Sequence, residues 1–190
     1  MSLIMDEADA FTANLFFQGR PVVLNQQRLK LRLRDPRLSR RERLDVEVAL
    51  ADSESASVLT VADHEDDKPL LLKFVPKANH YAVMTILKGE YDERFLSINA
   101  KTRHVFTGDE RNSEFSLSKG TIPSARFSDL DGGASYIHLA AAESLVYITS
   151  NKSNRYFMNA EPNKTKHDAF NNTPALFVLK IVERPDELNG

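Results

Sequence analysis

Residues Arg94 to Lys119 read RFLSINAKTRHVFTGDERNSEFSLSK, and this stretch decides the fold class. Phe95, Ser97 and Asn99 alternate with Leu96, Ile98 and Ala100, the period-2 pattern of a strand. Lys101 and Thr102 supply a polar turn, and a short strand follows through Val105 and Phe106. A second turn spans Gly108 to Asn112, after which Phe115 and Leu117 alternate with Ser116 and Ser118. The end of the chain repeats this grammar. Leu145 to Ser150 (LVYITS) matches the first strand, Arg155 to Asn159 (RYFMN) the second, and Ala175 to Val182 (ALFVLKIV) closes the unit. Two copies of one supersecondary pattern point to internal symmetry.

Outward from these copies, Ala56 to Ala62 and Pro69 to Phe74 read as two more strands joined by the acidic turn Asp63 to Asp67. His80 to Lys88 opens the second group and Ser135 to Ala141 the third, with PSARFSDLDGG at Pro123 to Gly133 connecting them. Pro21 to Asn25 reads as an edge strand opened by proline. In Arg28-Leu29-Lys30-Leu31-Arg32-Leu33-Arg34 the alternation is unbroken, so a strand here puts four cations on one face and three leucines on the other. Asp35-Pro36 stops it, and Leu44 to Leu50 alternates again with Asp45 and Glu47 outward, across from the arginines. Helix is marginal in this reading, because no segment after residue 20 holds a clean i, i+3, i+4 apolar stripe. The expected core comprises Leu72, Ile86, Leu96, Ile98, Phe115, Leu117, Leu139, Ile148, Phe157, Phe177 and Leu179.

Twelve short strands in three groups of four imply an all-β chain folded as a β-trefoil, with residues 1–19 as an N-terminal extension, 20–183 as one domain and 184–190 as a tail. The extension carries Leu3, Ile4, Phe11, Leu15 and Phe16 and reads as a short amphipathic helix or an arm. The segment LVYITSNKSNRYFMNAEPNKTKHDAFNNTPALFVLKIV resembles the last repeat of the fibroblast growth factors and of fascin-type trefoils. ERFLSINAKTRHVF resembles the same pattern, so the likeness covers about residues 80–183 and is one of fold. The Gln-x-Trp signature of ricin-type lectins is missing, since the chain has no tryptophan.

Composition bounds the function. At 190 residues with a net charge of −2, the chain suits a single domain with no global attraction to nucleic acid or membrane. With no cysteine, thiolate nucleophiles, disulfides and cysteine metal sites are excluded. No apolar run has the length of a membrane span, and Asp6, Glu7 and Asp9 stand where a signal peptide needs positive charge. A cytoplasmic protein is therefore expected, non-classical export aside.

Two sets of residues are candidate ligand contacts. Arg28, Lys30, Arg32 and Arg34, with Arg40 and Arg41 beyond the proline, cluster guanidinium groups suited to phosphate, sulfate or carboxylate. A solvated strand face is the commoner fate of such residues. The resemblance to trefoil growth factors implies that Lys164, Lys166 and His167 lie in an anionic-glycan loop, beside Phe170; an ordinary surface insertion is the plainer alternative. The five histidines have no metal-ligand spacing, the acids around His64 lack a calcium-loop pattern, and no G-x-S-x-G elbow occurs. The expectation is a non-enzymatic binding module, without a cofactor or metal, that recognises a glycan or a protein through loops and a basic face. The alternatives are a structural or toxin-associated protein-interaction scaffold that uses the N-terminal segment, and a hydrolase on an unusual β-fold.

Overall fold

A computed structural model describes residues 7–87, 94–151, 154–160 and 173–188. The chain is predominantly β, and its strands close into a ring. Strand β1 (Phe11–Phe17) pairs on one side with β13 (Phe177–Glu183) and on the other with β4 (Leu71–Lys77). Strand β4 pairs with β5 (His80–Ile86), β5 with β8 (Phe115–Ser118), and β8 with β9 (Ala134–Ala141), which returns to β13. Every pairing is antiparallel, and none of these six strands is left with an open edge along its whole length.

Alternation in the ring strands sends one set of side chains inward. Phe11, Leu15, Leu72, Phe74, Val83, Phe115, Leu117, Ile137, Leu139, Phe177 and Leu179 are all buried in one cluster. Aromatic rings fill both ends. At one end Phe11 stacks on Phe74 with centroids 5.1 Å apart, Tyr81 meets both edge-on, and Phe127 closes over Phe11. At the other end Phe157 lies 5.0 Å from Phe177 and edge-on to Phe17.

Three antiparallel pairs cover that second end: β2 (Arg20–Leu24) with β3 (Leu59–Val61), β6 (Arg94–Ile98) with β7 (Val105–Gly108), and β11 (Tyr147–Asn151) with β12 (Asn154–Met158). They are tied to one another. Val58 bridges to Phe106, His104 bridges to Met158, and the Thr60 hydroxyl donates to the Arg155 carbonyl. A minor strand, β10 (Ser144–Leu145), pairs back on β9.

The N-terminal segment differs from its expected form. Phe11 to Phe17 is neither a helix nor an arm but a ring strand, since Phe11, Ala13, Leu15 and Phe17 alternate inward. It turns into β2 through Gln18 (φ 50°) and Gly19 (φ 80°), the two left-handed positions of a type I′ turn, whose twist matches the flanking strands. Ile86, expected in the core, is 41% exposed at the end of β5, and Ile98 is half-buried.

The larger correction lies between β2 and β3. Arg28 to Arg34 and Leu44 to Leu50 are not strands: α1 (Asn25–Arg32), α2 (Arg40–Ala51) and the short α3 (Ser53–Ala56) occupy this insertion. The cross-strand pairing of Asp45 and Glu47 with the arginines does not exist. Residues 25–34 contain only Asn, Gln, Arg, Leu and Lys, none β-branched, and most of them are strong helix formers. Helix α2 starts at a capping box, in which the Ser39 hydroxyl accepts from Glu42 N (3.1 Å) and Glu42 Oε2 accepts from Ser39 N (3.4 Å). Among the described residues, no helix is long and apolar enough to cross a membrane.

Candidate functional site

The insertion is a helical elbow fixed to the covering strand pairs by few but well-placed contacts. Leu29 on α1 and Val46 on α2 are buried, 3% and 6% exposed. Arg28 is 6% exposed, and its guanidinium is used inside the protein. Nε and Nη2 donate to Asn25 Oδ1 at 3.0 and 2.8 Å, Nη2 also to Asn154 Oδ1 at 3.1 Å, and Nη1 reaches Asp63 at 3.4 Å. Asn25 completes the link by donating from Nδ2 to Ser55 O. Arg28 therefore joins α1, the acidic turn at Asp63 and β12. The geometry makes it an anchor and leaves it little reach toward a ligand.

Arg43 is likewise engaged: its Nη1 donates to Leu33 O at 3.0 Å, satisfying a carbonyl that the end of α1 leaves open. In the turn between the helices, Arg37 N donates to Asp35 Oδ1 at 2.9 Å. The remaining cations, Lys30, Arg32, Arg34, Arg37, Arg40 and Arg41, are all exposed. None makes an ion pair among the described residues. A cleft of about 320 Å³ opens beside them, and Arg28, Arg32, Glu42, Asp45, Asn154 and Tyr156 are among the residues that line it.

Charge is unevenly distributed along the chain. Residues 28–43 hold eight of the 25 Lys and Arg and two of the 27 Asp and Glu, a net +6, so the other 174 residues carry −8. Local electrostatics also runs against stability at one point. Arg40 and Arg41 open α2, placing two cations at the positive end of the helix dipole, where acids are favoured.

Lys164, Lys166, His167 and Phe170 lie outside the described residues. The acidic turn holds Asp63 on Arg28, while Asp67 Oδ2 accepts from His64 N. Asp131 N donates to Ser135 Oγ, and Lys119 ties the same turn to Asp129 O and Asp131. His138 faces Ala175 O at 3.1 Å, in keeping with a satisfied strand position. No group of three His, Asp or Glu among the described residues converges on a common point.

His104 sits where two of the strand pairs join, its ring 5.4 Å from Tyr156. Burial pushes its pKa below the usual 6.5, with Glu54 opposing. As pH falls below 6.5 the unfolded chain takes this proton before the folded one does, so stability is present above that pH and declines through the acid side. Thermal melts between about pH 7.5 and 5 should show a smaller decline for His104→Asn than for the wild type. Parallel declines would remove His104 from the acid transition.

Comparison with protein-family models, curated proteins and solved structures found no match to this chain. The class is therefore defined by architecture and site alone: a closed antiparallel β-ring with three covering strand pairs, one of which carries a cationic helical elbow.

Proposed function

We propose that the chain is a non-catalytic binding module, a β-trefoil by architecture, whose helical elbow takes an anionic glycan or an acidic protein surface. Support for the trefoil comes from the six-strand ring, the three strand pairs over one end, and the ties among them. The observation that carries the function is the group of six exposed cations on one elbow, none with an anionic partner among the described residues. Five of the six are arginine, whose planar fork matches sulfate, phosphate and carboxylate better than an ammonium does. The −8 carried elsewhere limits contact with a long polyanion and favours a local docking point over wrapping. In the rival reading the N-terminal segment is the partner surface. Of that segment's apolar residues, Phe11, Leu15 and Phe17 are buried in the ring and Phe16 is half-buried, while Leu3 and Ile4 lie outside the described residues.

Retention on a sulfated-polysaccharide column tests the proposal. Changing Arg32, Arg34, Arg40 and Arg41 together to Ser should abolish retention and shift the melting temperature by no more than a few degrees, since these are exposed positions. Unaltered retention with a sharp loss of stability would assign the arginines to structure.

A further inference from the structure

The mouth of the ring opposite the three strand pairs is a second concave site, unrelated to the elbow. It is a depression of about 500 Å³, within the range of small-molecule sites. Its floor is Tyr81, Ala125 and Phe127, and Asp9, Asn79 and Arg126 stand at its rim. Tyr81 is 4% exposed and its hydroxyl donates to Ala125 O at 3.1 Å. Burial, with Asp129 and Asp9 adding and Arg126 opposing, pushes the phenol up to about 12. The floor is thus aromatic, neutral and already satisfied as a donor.

The rim is charged and unpaired. Arg126 and Asp9 are both exposed, line the same depression, and form no ion pair with each other or with any described residue. Asp129, the other acid nearby, is engaged by its own turn and accepts from Arg126 N at 2.8 Å. Asp9 is set by the short 3-10 turn Glu7–Asp9 on the opposite side of the sequence. One anion and one cation therefore border a single aromatic-floored cavity. A simple anion leaves Asp9 unanswered, and a simple cation leaves Arg126 unanswered. We propose that this mouth binds a small zwitterion with an apolar body, an α-amino acid with an aromatic or branched side chain being the simplest case. The carboxylate pairs with Arg126, the ammonium with Asp9, and the side chain lies against Phe127 and Tyr81.

The test is a titration of the isotope-labelled full chain, followed through its amide resonances, with L-phenylalanine, 2-phenylethylamine and 3-phenylpropanoate. Phenylalanine should give saturable shifts at Ala125, Arg126 and Phe127 below about 10 mM, and each half-molecule should bind about tenfold more weakly. Arg126→Gln and Asp9→Asn should each weaken phenylalanine about tenfold without moving the melting temperature. Absence of saturation with phenylalanine, equal affinity for either half-molecule, or indifference to both substitutions would overturn the proposal. Should a substitution destabilise the chain, the ligand series on the wild type decides by itself.

Discussion

A chain lacking residues 1–18 should fail to fold cooperatively. The deletion removes β1, which joins β13 to β4 and closes the ring. It also removes Phe11, Leu15 and Phe17, at 0%, 0% and 6% exposure. Truncating one buried Phe or Leu costs about 2–5 kcal/mol, so losing three exceeds or consumes the whole stability of a domain, about 5–15 kcal/mol. The exposed edges of β13 and β4 would then favour aggregation. Circular-dichroism melts and amide-resonance dispersion measure this directly. A truncated chain that melts at the wild-type temperature would contradict the place of β1 in the ring.

The second large effect is expected at Arg28. Arg28→Ala leaves the Oδ1 atom of Asn25, 2% exposed, without its donor, and strips a contact from Asn154 and Asp63. Orphaning a buried polar group costs about 1–3 kcal/mol, and loss of the ion pair adds little because Asp63 is 37% exposed and is answered by solvent. We expect about 3 kcal/mol in urea unfolding, by the same reasoning. Arg28→Lys should restore little, because an ammonium cannot span Asn25, Asn154 and Asp63 as the fork does. A loss below about 1 kcal/mol would show that the elbow is held by Leu29 and Val46 alone. Arg32 and Arg34 provide the contrast: Arg28→Ala should lower stability, whereas under the proposed function substitution of its exposed neighbours should lower binding and leave stability nearly unchanged.

Most of the strands were legible because a half-buried strand alternates, as β8 and β9 do throughout and β4 and β13 do over their first four residues, whereas β5 reads as a short apolar run buried from Tyr81 to Thr85. Phe115 and Leu117, or Phe177 and Leu179, lie two residues apart and share the core. The same rule misled at Arg28 to Arg34, where alternating Arg and Leu satisfies a strand template although the segment is α1 with a short turn after it. Only Leu29 of its three leucines is buried; Leu31 is 39% exposed. Alternation there reflects composition, and no second face existed to be packed. A contrary signal was present in Ser39-Arg40-Arg41-Glu42, a capping box directly before the apolar positions of α2. At the N-terminus the inward set Phe11, Ala13, Leu15 and Phe17 also has period 2, but Ala13 breaks the apparent apolar row and the acids before it suggest a helix start. The candidate site was legible as a cluster of charge. Its division into an anchor, Arg28, and an exposed set was not, because burial depends on Asp63 and Asn154, which are 35 and 126 residues away in sequence.

Chemical-shift mapping with a short sulfated oligosaccharide tests the central claim most directly. The largest shifts should fall on amides of residues 30–41, and the affinity should drop steeply as salt rises, in proportion to the ion contacts made. Charge complementarity at six exposed cations predicts this pattern. Shifts confined to the opposite mouth of the ring, or binding at the elbow that is indifferent to salt, would contradict it.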